Sequence, residues 1–178
     1  ALPMWKDEDG WIDPHVFIDD DGARYLFATN DNKKAHGGDA RIYAARLAPD
    51  MVTLETTLTL CMAPSQPWER SWQEGAWVHK RNGVYYMLWS SRLYATPNYS
   101  TGFATAPHPL GPWTKHPSNP ILAKTERVSG PGHVSLAPSP DGAELFILYH
   151  THCTSAAGGA RQLAIDRLRF APDPPGPD

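Results

Sequence analysis

Three side chains capable of acid–base chemistry recur at nearly equal spacing: Asp13, Glu74 and His133, separated by 61 and 59 residues. Each sits at the head of a strand-like run. The segments are Trp11-Ile12-Asp13-Pro14-His15, Trp72-Gln73-Glu74-Gly75-Ala76-Trp77 and Ser129-Gly130-Pro131-Gly132-His133. Two carboxyl groups and an imidazole gathered around one axis suit glycoside hydrolysis. That reaction needs carboxyl groups flanking the bond, one of them protonated to assist the leaving oxygen. Taken singly, each residue has a plainer reading: Asp13 as a turn starter before Pro14, Glu74 as a loop charge, His133 as a turn histidine bonded to backbone. Their common phase argues against three unrelated turn residues.

The elements that must position them are strands. Val16–Ile18, the turn Asp19-Asp20-Asp21-Gly22 and Arg24–Thr29 read as a hairpin. The pattern returns at Trp77–Lys80, Asn82-Gly83 and Val84–Ser90, and again at His133–Leu136, Asp141-Gly142 and Glu144–His150. Third strands are predicted at Ile42–Leu47, Gly102–Ala106 and Leu163–Leu168, with outer strands at Thr53–Leu60 and, less regularly, around Trp113-Thr114-Lys115. The turn glycines Gly22, Gly83 and Gly142 repeat at 61 and 59 residues. Two independent markers with one period predict an all-β protein, a β-propeller of blades near sixty residues. One domain over residues 1–178 is expected, an incomplete set of three four-stranded blades at about 11–62, 72–122 and 129–171. The Pro-rich tail after Phe170 does not read as a strand.

Composition narrows the function. With a formal net charge of -3, no broad basic surface invites nucleic acid or an anionic membrane. No apolar run approaches the about 18 residues that span a bilayer. A soluble protein is expected; its compartment is unassigned, and no signal-peptide pattern is visible where the sequence opens on Ala1. Two cysteines, Cys61 and Cys153, are too few for a disulfide scaffold and read as free thiols. Seven tryptophans suit either core packing or sugar stacking.

Ile12-Asp13-Pro14-His15-Val16-Phe17, Glu74-Gly75-Ala76-Trp77-Val78 and Gly130-Pro131-Gly132-His133 together resemble glycoside hydrolase family 43. Tyr99–Thr105 continuing to Pro109-Leu110-Gly111-Pro112-Trp113, and Arg161–Leu168, resemble it too. The resemblance implies a five-bladed propeller that hydrolyses xylo- or arabino-configured plant polysaccharide fragments with inversion. It makes Glu74 the general acid and Asp13 the carboxylate that tunes and orients it. It places Arg161, Trp77, His15 and Tyr99 at the sugar, and His133 beside a calcium ion and its waters. No cofactor is expected to be required. The family's water-activating Asp lies about two blades ahead of the tuning Asp, and only twelve residues precede Asp13 here. The chain therefore resembles the last three blades. Asp7 and Asp9 lie in a context that does not match the base motif and read as a solvated loop. Asp31, His36 and Asp39 fall in or beside a Gly-rich loop near the site. Open blade ends predict a homo-oligomer that buries them. A non-catalytic carbohydrate-binding propeller fragment is the alternative reading.

Overall fold

A computed structural model describes residues 10–31, 37–154 and 159–171. Asp7, Asp9, His36 and the tail from residue 172 lie outside the described residues.

The described residues form eleven strands in three antiparallel sheets and no helix. Sheet one runs β1 (Trp11–Ile18), β2 (Arg24–Asn30), β3 (Arg41–Leu47) and β4 (Thr59–Met62), in that spatial order. Sheet two runs β5 (Gln73–Arg81), β6 (Val84–Ser91), β7 (Ser100–Ala106) and β8 (Thr114–Lys115). Sheet three has only β9 (Gly132–Pro138), β10 (Leu145–His152) and β11 (Arg161–Leu168). The expectation of a fourth strand in every blade is corrected here: nothing among the described residues pairs with the outer edge of β11. The first strands lie side by side in chain order, β1 against β5 and β5 against β9. These are successive blades of an incomplete propeller.

Turn chemistry sets each hairpin. Asn82 and Gly83 both take the left-handed backbone, at φ of +50° and +76°, the geometry of a type I′ turn. Asp19 accepts the Gly22 N–H at 2.9 Å, and Gly22 sits at φ +81°.

The core lies between sheets rather than within one. Tyr25, Phe27, Ile42 and Ala44 of sheet one pack against Val78, Tyr85, Met87 and Trp89 of sheet two. Leu88 of sheet two meets Val134, Leu136, Ile147 and Tyr149 of sheet three. Alternation along a strand turns one row inward and the other outward. On β1, His15 and Phe17 are half-buried while Val16 and Ile18 are 39% and 57% exposed. On β11, Ala164 and Leu168 pack inward while Leu163 and Ile165 are 70% and 54% exposed. The first and third sheets therefore present apolar outer faces.

One polar link crosses sheets one and two. Lys80 Nζ lies 2.6 Å from Asp19 and 2.9 Å from Asp20, and the Tyr85 hydroxyl donates to Asp19 at 2.5 Å.

Candidate active site

All three first strands carry a bulge at the same height. In β1, Asp13 and Pro14 stand between the pairs Ile12↔Thr29 and His15↔Phe27. In β5, Gly75 and Ala76 stand between Glu74↔Ser90 and Trp77↔Leu88. In β9, His133 and Val134 stand between Gly132↔His150 and Ser135↔Leu148. The first bulge residue is left-handed each time, at φ of +52° for Asp13, +63° for Gly75 and +56° for His133. The structural equivalents are thus Asp13, Gly75 and His133. Glu74 aligns with Ile12 and Gly132, one residue earlier than the spacing suggested.

The bulges gather the chemistry. Single side-chain ligand atoms of Asp13, Glu74 and His133 lie within 4.8 Å of one another. With Tyr94, His150 and Arg161 they line a cleft of about 430 Å³. A second, more apolar cleft of about 610 Å³ adjoins it, lined by Ile12, Trp72, Arg92, Leu93 and Asn98 among others. Glu74 and Tyr94 belong to both walls. A bond lying across Glu74 would have one sugar in each cleft.

Glu74 is 7% exposed, and burial pushes its carboxyl above the usual range. The Asp13 charge acts in the same direction. Hydrogen bonds from Tyr99 and Trp72 and the positive side of His133 oppose it. Burial, rather than Asp13, is the largest influence.

Of the residues expected at the sugar, Arg161 lines the first cleft, its guanidinium 5.2 Å from the centre of the half-exposed Tyr94 ring. Tyr99 does not reach it. Its side chain is fully buried behind Glu74, and its hydroxyl donates to Glu74 Oε1 at 2.5 Å. His15 and Trp77 pack with ring centroids 4.4 Å apart, tilted by 32°, where the sheets meet, and line neither cleft. Burial holds the His15 imidazole down at about 4, so it is neutral there. Asp39 pairs loosely with Arg41 at 3.8 Å, and the Asp31 N–H bonds the Gly10 carbonyl. Neither carboxylate lines a cleft.

Sequence reasoning missed Trp72, Tyr94 and His150. Trp72 donates its indole hydrogen to Glu74 Oε2 at 2.6 Å. The Tyr94 carbonyl bonds His152 Nε2 at 2.9 Å, and His152 Nδ1 lies 3.1 Å from the Ser129 hydroxyl. His150 stacks on Tyr99, with centroids 5.5 Å apart. Burial first, then the neighbouring charge of Arg161, hold His150 down at about 4. The available signal was position: His150 pairs with Gly132 at the edge of the third bulge.

The trio Asp13, Glu74 and His133 offers one nitrogen and two oxygens to a cation. A calcium ion takes six to eight oxygens, so these three alone do not make its site. Water-mediated contact through His133, on the cleft wall, is compatible with that chemistry.

The bulged first strands of an incomplete β-propeller thus converge on a carboxylate pair. The sequence model of glycosyl hydrolases family 43 matches residues 2–174, and the chain belongs to that family. It is 30% identical over 160 residues to the β-D-galactofuranosidase XynD of Aspergillus niger, covering 89% of this chain and 43% of that protein. Among solved structures it is similar to a thermostable family-43 glycoside hydrolase, with TM-score 0.88 and 41% identity, over 96% of this chain and 58% of that one. An endo-1,4-β-xylanase from Bacteroides thetaiotaomicron matches with TM-score 0.86 and 30% identity over the same shares. The chain thus spans less than two thirds of the length of these relatives.

Proposed function

We propose that this chain carries the general-acid half of an inverting glycosidase acting on xylo- or arabino-configured oligosaccharides. The observation that carries the reading is Glu74: a buried carboxyl shared by two adjoining clefts, with Asp13 beside it. Glu74 gives its proton to the glycosidic oxygen as the bond from that oxygen to the anomeric carbon breaks. Water attacks the anomeric carbon from the opposite face and loses a proton to a base. The sugar that keeps the anomeric carbon occupies the polar cleft, where Arg161 and His133 face its hydroxyl groups. The leaving sugar occupies the apolar cleft beside Trp72.

Asp13 is not that base. Inverting acid and base stand about 6.5–9.5 Å apart to seat water and sugar between them. Oxygens of Asp13 and Glu74 lie within 4.8 Å, which suits a charge that raises and orients the acid. The lining of the polar cleft includes no third carboxylate among the described residues, so this reading draws the base from outside them. The same observation favours a second reading, a carbohydrate-binding fragment without turnover.

Hydrolysis of p-nitrophenyl xyloside and p-nitrophenyl arabinofuranoside tests the first reading. Glu74→Ala is expected to lose about 10²–10⁴-fold, the usual worth of a positioned acid. Undiminished hydrolysis in Glu74→Ala would sink the assignment. Binding of xylo-oligosaccharide by calorimetry, with no turnover in the parent chain, would favour the second. The apolar outer faces of sheets one and three support burial against further sheets. A second copy of the chain supplies such a cover, and light scattering reads it directly: a dimer mass supports pairing and a monomer mass counts against it.

A further inference from the structure

Both oxygens of Glu74 are held, one by Tyr99 from behind the clefts and one by Trp72 on the wall of the apolar cleft. Oε1 accepts the Tyr99 hydroxyl hydrogen at 2.5 Å, and Oε2 accepts the Trp72 indole hydrogen at 2.6 Å. The donors come from separate segments, Trp72 just ahead of β5 and Tyr99 just ahead of β7.

Neither donor is free to drift. The Tyr99 ring is fully buried, lies nearly parallel to His150 at 8°, and fills the space left by Gly132. A Cβ at Gly132 would fall 2.4 Å from Tyr99 Cε1, so only glycine lets the third sheet close on that ring. The Trp72 carbonyl accepts the Ser91 hydroxyl, which also lies 2.9 Å from the Glu69 carbonyl. Ser91 is fully buried.

We infer that Tyr99 and Trp72 are positioning residues: a two-point clamp that fixes the plane of the Glu74 carboxyl against the bond crossing the two clefts. The inference rests on the reading of Glu74 as the acid. An indole N–H can only donate, so Oε2 is always an acceptor toward Trp72. A phenol can donate or accept, so Tyr99 can follow Glu74 through loss and recovery of its proton. With both contacts made, the carboxyl cannot swing between the polar and the apolar cleft. Orientation of this kind is worth much in rate, since a misplacement near 1 Å costs on the order of 10²-fold.

Tyr99→Phe is the sharp test, because it keeps the ring and its stack on His150 and removes only the hydroxyl. Carbon-13 NMR of the Glu74 side-chain carboxyl, titrated in the full chain, reads the effect without turnover. A donor to the ionised form is lost, so the midpoint moves upward in Tyr99→Phe, and again in Trp72→Phe. Where the chain hydrolyses p-nitrophenyl glycoside, Tyr99→Phe lowers kcat by about ten- to a hundredfold with KM nearly unchanged. A midpoint unmoved or lowered in a folded Tyr99→Phe overturns the clamp. Should that variant fail to fold, an unmoved or lowered midpoint in Trp72→Phe overturns it equally. These outcomes are separate from the Glu74→Ala result. Undiminished hydrolysis there removes the acid reading while leaving the hydrogen bonds as structure, whereas an unmoved midpoint removes the clamp and leaves the acid.

Discussion

Removing Glu69 should loosen the strand that carries Glu74. Glu69 is fully buried, and its two oxygens take four hydrogen bonds. Oε2 accepts the backbone N–H groups of Ser65 and Gln66 at 2.8 and 2.6 Å. Oε1 accepts the Gln73 amide and the Lys115 ammonium, the latter at 2.5 Å. Lys115 is itself only 11% exposed and lies over the Trp89 ring at 5.3 Å. Gln73, also fully buried, immediately precedes Glu74.

Glu69→Ala leaves a buried ammonium without its counter-charge. Breaking a buried pair in this way costs about 3–5 kcal/mol. For a domain of this length that lowers Tm by about 6–20 °C, at roughly 2–4 °C per kcal/mol. Lys115→Met also leaves a buried charge unpaired, the Glu69 carboxylate, but it is milder because three other donors still hold that carboxylate. It removes one charged hydrogen-bond donor, worth about 1.5–3 kcal/mol, and leaves Glu69 with three donors. Urea unfolding at constant slope separates the two variants. The expected order is a large loss in Glu69→Ala and a smaller one in Lys115→Met. The combination Glu69→Gln with Lys115→Met should cost less than Glu69→Gln and Lys115→Met measured singly and added, because no unpaired charge remains. A cost below about 1 kcal/mol in Glu69→Ala, the worth of an exposed pair, would refute the reasoning.

Two further outcomes concern pH. Asp13→Asn removes a charge that raises Glu74, so the high-pH limb of kcat/KM should move to lower pH; burial persists, so Glu74 still stays above its ordinary range. A limb unmoved or shifted upward would contradict the tuning role. Burial tends to raise Asp19, but hydrogen bonds from Lys80 and Tyr85 outweigh it and hold the carboxyl below its usual range. A depressed carboxyl stabilises above its unfolded pKa, near 4, and the contribution is lost as pH falls through the folded value. Melting temperature should therefore decline below about pH 4, and Lys80→Met should flatten that decline; an unchanged slope would show that the link between the sheets carries no such coupling.

The repeat was readable because turn chemistry is local. Asn82-Gly83, and Gly22 and Gly142 after their aspartates, announce hairpins without reference to anything distant. The strand starts were harder. β5 begins at Gln73 and β9 at Gly132, ahead of the apolar runs that suggested Trp77 and His133. Bulges interrupt the alternation there, and the alternation was the signal. The outer strand expected over Thr53–Leu60 is shorter and later, at Thr59–Met62, with only an isolated bridge from Leu54 to Leu47. Asp50 ties the intervening turn through Val52 and Thr53 instead. Within the candidate site, the spacing that singles out Asp13 and Glu74 is offset by one residue at Glu74 in the structure. The resemblance places Tyr99 at the sugar, but it carries no sign of which side of a sheet the next sheet seals, and the structure buries Tyr99 fully.

The one-residue offset at Glu74 is what makes the two clefts share it. Ile12, just before its bulge, lines the apolar cleft, and the bulge residues Asp13 and His133 line the polar one. In the second blade the bulge residue is Gly75, and a Cβ there would lie 3.2 Å from His133 Nδ1. Left-handed backbone costs about 1–2 kcal/mol at a residue other than glycine. Asp13 and His133 accept that conformation while Gly75 avoids the cost. Glycine thus does two things at position 75. It makes room for the imidazole of the next blade, and it moves the second carboxyl back by one residue. That step sets Glu74 on the wall between the two clefts rather than in the row with Asp13, where two carboxylates would serve only one cleft.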